Sequence, residues 1–263
     1  MSSIHKDPFV DTESIIDNES IVETLVDDTS NTTTSAVGPF PSTFTISFKK
    51  AFLPFAYYIT PGDSFSPDLE PLMGIAINWG ILGKPLLTLY ERFDKNSAKL
   101  GIVRYSGVLG KHSMIELPAK GSGEQHDGSD DDENHSSDAE KVQLRMKIGF
   151  PACRFEFTMP VASEKGTRDE RFEWRGSKGA EVKELEAWKY GFKLVRLDSD
   201  EVTSSSSNGE VVAAAAWPGK MSLTQLAKFK FLGSAERGEL GEMWAVMAVM
   251  SFLRIMQIHA EGR

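Results

Sequence analysis

Hydrophobic and polar residues alternate with a period of two through most of the chain after residue 43. Phe44, Ile46 and Phe48 alternate with Thr45, Ser47 and Lys49, and Val142, Leu144, Met146, Ile148 and Phe150 alternate with Gln143, Arg145, Lys147 and Gly149. The same period runs through Phe155-Phe157-Met159, Phe172-Trp174 and Phe229-Phe231. Strand side chains point to opposite faces in turn, so each segment predicts a strand with one buried and one wetted face. Less regular strands are predicted at 55–59, 72–78, 86–93, 100–106, 112–117, 192–197 and 210–217. About a dozen strands result. Turn residues separate them, among them Pro61-Gly62-Asp63, Asp94-Lys95-Asn96 and Ser207-Asn208-Gly209. Most connections are too short for helical crossovers, which predicts antiparallel hairpins.

The period is lost at the C-terminus. From Met243 to Leu253 only Ser251 is polar, and Arg254, Ile255, Met256, Gln257 and Ile258 follow. This predicts a helix over about 239–259, apolar nearly all round and therefore buried on nearly all sides. Glu239 and Glu242 near its start, and Arg254, His259 and Arg263 near its end, suit the helix dipole. A bilayer span needs about 20 apolar residues; Arg254 and Gln257 interrupt this run. A closed barrel of twelve strands has an interior wider than side chains readily fill, and a threaded apolar helix fills it. The predicted fold class is mainly β: an antiparallel closed barrel of about twelve strands around a buried C-terminal helix.

Charge divides the chain further. Of 263 residues, 38 are Asp or Glu and 29 are Lys or Arg, for a net charge of −9. Residues 1–40 carry eight acids against Lys6, and residues 119–140 eight acids against Lys120. The rest of the chain is therefore mildly basic. Residues 1–41 read as a disordered acidic tail ending at Gly38-Pro39-Phe40-Pro41, with one capping-box segment, Ser20-Ile21-Val22-Glu23, that suits a short docking helix. Residues 119–140 read as a disordered acidic insertion within a barrel domain spanning 42–263. Cys153 has no partner for an intramolecular disulfide, and the first ten residues lack a secretory signal pattern. A cytoplasmic or nuclear protein, not secreted and able to associate peripherally with membranes, is expected.

Arg171-Phe172-Glu173-Trp174-Arg175-Gly176-Ser177, Glu181-Val182-Lys183-Glu184-Leu185 and Gly191-Phe192-Lys193-Leu194-Val195-Arg196-Leu197 stand in this order, followed by Val211 to Trp217 and Leu240-Gly241-Glu242-Met243-Trp244. This order resembles fungal members of the tubby C-terminal-like superfamily, which includes tubby proteins, phospholipid scramblases and LURP-one proteins. The resemblance covers roughly residues 42–263. It implies a twelve-stranded barrel around a hydrophobic helix and association with phosphoinositide or phospholipid. No counterpart of tubby's phosphoinositide-binding motif can be placed on this sequence.

Catalytic chemistry is hard to find. Gly80-Ile81-Leu82-Gly83-Lys84 and Gly107-Val108-Leu109-Gly110-Lys111 lack phosphate-loop spacing, the five histidines have no paired ligand spacing, and Cys153 reads as a small packed residue. No catalytic residue, cofactor or metal is expected. Basic residues on the outward face of the strands are the candidate lipid-headgroup contacts: Lys49, Arg145, Lys147, Arg171, Arg175, Lys193, Arg196, Lys228 and Lys230, with Arg154 beside them. Ser129 and Ser137 precede acidic runs and suit acidophilic kinases, so phosphate there would strengthen an insertion competing for the basic wall. The expected function is a non-enzymatic, monomeric module for anionic phospholipid, phosphoinositide or a protein partner. Alternatives are a scramblase-like protein anchored by its C-terminal helix, and a small-molecule enzyme or apolar-ligand carrier. Nucleic acid is disfavoured by the weak basicity of the body.

Overall fold

The computed structural model describes residues 36–48, 56–62, 69–78, 84–106, 112–118, 139–147, 153–163, 166–197, 209–218 and 225–261. The chain divides into Met1–Thr33, which lies outside the described residues together with the expected docking helix, and Thr34–Arg263.

In the second unit β1 (Ala36–Val37) and β2 (Phe40–Pro41) form a small ladder ahead of twelve longer strands. These are β3 (Thr43–Phe48), β4 (Tyr57–Pro61), β5 (Met73–Ile77), β6 (Leu87–Tyr90), β7 (Lys99–Ser106), β8 (His112–Leu117), β9 (Glu140–Lys147), β10 (Arg154–Ser163), β11 (Gly166–Ser177), β12 (Ala187–Leu197), β13 (Glu210–Pro218) and β14 (Gln225–Phe231). Each pairs antiparallel with the next, and β14 pairs with β3 to close an up-and-down barrel. Short helices α1 (Ala180–Lys183) and α2 (Gly233–Glu236) precede β12 and follow β14, and α3 (Glu242–Ala260) ends the described chain.

The predicted closed barrel around a buried helix is thus the observed fold. Its details differ at the ends. The expected tail stops short of 41, because Val37 and Phe40 are buried under the barrel mouth. Glu140 belongs to β9 rather than to the insertion, and α3 starts at Glu242. Gly238 (φ 75°) and Gly241 (φ 83°) take the left-handed region between α2 and α3, where a side chain would strain the turn that aims the chain into the barrel.

Trp244 to Ile258, fifteen consecutive residues, are all buried. By length and composition α3 could cross a membrane, yet 83% of that stretch lies buried inside the barrel. It runs closest to β7 and β8, where Gly101 leaves room: a Cβ there would stand 3.1 Å from Met250 Cγ. Aromatic rings fill the wider gap on the other side. Phe44 stacks on Phe229 at 4.9 Å and Phe157 on Phe172 at 5.3 Å, while Trp174 and Trp217 meet Phe252 at 5.6 and 5.9 Å. Trp244 packs on Phe172 and Phe231, and His259 on Phe155, Phe192 and Trp217. These contacts define two ends: a crown at the start of α3 and a base at its end.

Polar positions on α3 fix its rotation. Trp174 Nε1 donates to Ser251 Oγ at 2.8 Å, and that hydroxyl donates to the Ala248 carbonyl. Arg254, fully buried, donates from Nε to Ser113 Oγ at 3.0 Å and from Nη1 to Gln257 Oε1 and Glu261 Oε1 at 2.9 and 3.3 Å. Tyr105 offers its ring face 5.5 Å from the guanidinium, and Gln257 Nε2 donates to the Leu86 carbonyl. Desolvating a charge costs several kcal/mol unless it is paired and hydrogen-bonded. These partners offset that cost in one helix register only. We predict that Arg254→Met destabilises the chain by about 3 kcal/mol, because it strands Glu261, whereas Arg254→Met/Glu261→Met recovers most of the loss. Urea unfolding of the two variants and wild type measures the coupling.

Candidate functional site

The outward faces of β9 to β14 carry the basic residues singled out in the sequence, and register shows which of them meet. Lys147 pairs with Arg154, and Arg175 pairs with Lys193. Phe155 is in register with Trp174, so Arg154 and Arg175, one position further toward the base, also come side by side. Lys193 continues through Ala214 to Lys230. Five cations thus form one cross-strand row that climbs from the base at β9 to the crown end of β14, where Lys230 pairs with Thr43 at the start of β3.

Carboxylates are threaded through it. Lys147 Nζ lies 2.5 Å from Glu156, Arg154 and Arg175 share Glu173 at 3.3 and 2.6 Å, Lys193 faces Glu181 at 4.0 Å, and Lys230 reaches Glu184 at 3.3 Å. Arg145 and Arg171 are exposed and make no ion pair among the described residues, although Arg145 Nε donates to Gln143. With Lys228, eight cations stand against five carboxylates, so the wall keeps a positive excess. The pairs of Lys147 and Lys230 are partly exposed and contribute at most about 1 kcal/mol each, so these lysines can exchange a carboxylate for another anion, whereas Glu173 is buried and holds Arg154 and Arg175 more firmly.

Two of the expected headgroup contacts are not available in this way. Lys228 was expected to face solvent but is buried, with Nζ 2.8 Å from Glu186. The cause is α1 and the turn after it. Val182 and Leu185 pack on Ala214, Ala216 and Leu232 outside the barrel, carrying Glu181, Glu184 and Glu186 onto the lysines. Gly191 permits this approach, since a Cβ there would lie 2.9 Å from Val182 Cγ1. The sequence did hold a signal: Ala213 to Ala216 put small apolar residues on the face where β13 should be polar, and such a face needs a cover.

Arg196 is the second correction. It pairs in register with Phe172, whose side chain is buried, and so points with the inner face near the crown. There Glu170 binds its Nε and Nη2 at 2.5 and 2.7 Å, Glu210 lies 3.6 Å away, and Ser234 of α2 accepts from Nη1. Glu210 in turn accepts from the Ser234 amide and hydroxyl, tying α2 down. This is a lock on the crown. Lys49, Ser129 and Ser137 lie outside the described residues.

Two further features complete the inventory. A cleft of about 280 Å³ at the base lies among Tyr57, Trp217, Leu226, Met256, Gln257, His259 and Ala260; burial pushes the Tyr57 hydroxyl above its usual range. Cys153 is half-buried against the core. Among the described residues no group of three His, Cys, Asp or Glu side chains is arranged to hold a metal. No family model matches the chain, and no curated protein or solved structure matches it.

Burial raises the Glu170 pKa, but hydrogen bonds and charge from Arg196 and Arg168 outweigh it and hold the carboxyl below its ordinary value. A depressed carboxylate stabilises the fold above the unfolded-state pKa, and that stability is lost as pH falls through the folded value. We predict that Glu170→Gln costs about 2 kcal/mol at neutral pH, and that the gap to wild type closes on acidification below the ordinary glutamate range. Unfolding curves across pH test this.

Proposed function

We propose that the protein is a non-enzymatic module that associates with anionic phospholipid surfaces through the cations on the outer wall of β9 to β12. The observation that carries this reading is the cross-strand row Lys147, Arg154, Arg175 and Lys193, flanked by Arg145 and Arg171, which make no ion pair among the described residues. A row of this kind presents several donors at once to a plane of phosphates, and each Lys or Arg near an acidic leaflet contributes about 1 kcal/mol. Resemblance to the tubby C-terminal-like superfamily, whose members associate with phospholipids, supports the same assignment.

The reading in which α3 serves as a membrane anchor is less favoured. It requires fifteen buried residues and the partners of Arg254 to be given up together.

Cosedimentation with phosphatidylserine-containing vesicles tests the proposal. Binding is expected to weaken as salt shortens the Debye length, to be absent on phosphatidylcholine alone, and to fall by roughly fivefold per cation removed in Arg175→Ala and Lys193→Ala. Binding that ignores salt, lipid charge and both substitutions would remove the wall from the mechanism.

A further inference from the structure

The seam between β9 and β10 is the least paired in the barrel for the length of its strands. These strands have eight and ten residues, yet only Lys147, Met146 and Arg145 meet Arg154, Phe155 and Glu156. The same register, continued, would set Leu144 beside Phe157, Gln143 beside Thr158, Val142 beside Met159 and Lys141 beside Pro160. None of these pairs forms. Both strands run on regardless, β9 held by β8 alone and β10 held by β11 as far as Ser163. The seam is therefore zipped at the base and open toward the crown.

Among the described residues, Phe157 to Ala162 thus have a ladder on their β11 side and none on the other. A strand edge of this kind presents N–H and C=O groups that a further strand can take up. Pro160 stands within it. Proline has no N–H to give and belongs in a strand where one side lacks a ladder. The core beneath is sealed, because Val142, Leu144, Phe157, Met159 and Val161 are buried, while Lys141, Thr158, Pro160 and Ala162 on the outer face are exposed. What is offered is a backbone edge and no cavity. The outer face around it is positive. Arg145 ends the paired rows on β9 and Arg171 stands opposite Thr158 on β11; both are exposed and make no ion pair among the described residues. Lys141 lies beside Glu116, which Arg104 already holds, and Glu156 is held by Lys147. Asp169, exposed opposite Pro160, is the carboxylate set against these three cations.

We propose that the free edge of β10 takes an extended, acidic peptide of a protein partner as an added strand. In strand addition the main-chain hydrogen bonds supply affinity and alternate side chains supply specificity. Side chains of an added strand point to the two faces in turn. Those on the outer face come among Lys141, Arg145 and Arg171, which favours aspartate or glutamate at every second position. Those on the inner face come toward Met159 and Val161, which favours small apolar residues between them. A second copy of this chain is a poorer occupant, because pairing edge to edge brings the same cations together. A lipid phosphate has no N–H groups to extend a ladder. This site stands apart from the phospholipid reading: it uses the crown half of the seam and the backbone, and the row from Lys147 to Lys193 takes no part in it.

The test uses the full chain, without lipid, and a short fluorescein-labelled peptide that alternates glutamate with valine. Its controls are the same peptide with lysine for glutamate, and two analogues methylated on alternate backbone nitrogens, one for each edge of the peptide. Fluorescence anisotropy reads binding, and hydrogen exchange locates it. The glutamate peptide is expected to bind and to slow exchange of the amides between 157 and 162 that β11 leaves free, and methylation of at least one edge is expected to abolish binding. Arg145→Glu/Arg171→Glu is expected to bind the glutamate peptide roughly tenfold more weakly and to gain binding of the lysine peptide, a gain that an unfolded chain would not show. Arg175→Ala/Lys193→Ala is expected to keep the peptide while losing vesicles, so that the two sites fail separately. No binding of the glutamate peptide, or equal binding of both methylated analogues, would overturn strand addition. So would exchange of those amides that is already slow without peptide, since the edge would then be filled. A dimer in solution that the peptide dissolves would make a second copy the occupant and overturn the partner assignment.

Discussion

A twelve-stranded barrel has to be filled, and here the filling is one helix whose every side from Trp244 to Ile258 meets protein. That requirement governs the rest of the structure. Glycine and short aliphatic side chains line β7 and β8, where the helix runs close, and a fan of phenylalanine and tryptophan rings fills the opposite side. Dispersion and apolar burial give the helix its affinity for the interior but are nearly indifferent to its rotation. The buried hydrogen bonds of Ser251, Arg254 and Gln257 supply the direction. Arg254 thus has two effects: it makes the helix a poorer bilayer span than its neighbours suggest, and it ties the helix to one rotational setting inside the barrel.

Strands were legible in the sequence because inner and outer faces differ so sharply in polarity. β9 shows this well: Val142 and Leu144 alternate with Gln143 and Arg145 in the sequence and are the buried members of the strand. The ends of α3 were less legible, since Glu239 and Leu240 carry helical composition and only the left-handed glycines stop the helix before them. α1 was missed as an element. Four residues with one buried valine have no usable period, and their fold depends on the alanine face of β13. The same dependence hid the true setting of Lys228. Alternation correctly put it on the outer face, but it cannot show that another segment covers that face.

Arg196 exposes a different limit. The register of β12 against β11 is unbroken, so Arg196 shares the inner face of Phe192 and Leu194, and only its charge suggested an outward setting. Period-two alternation thus puts Val195 outward, where it is nonetheless buried, and Arg196 inward although it is charged. The inner face near the crown tolerates the charge because Glu170 and Glu210 converge on it. Alternation therefore places Arg196 correctly, and the charge of a side chain is the poorer guide to its face near a strand end, where a carboxylate can meet it inside.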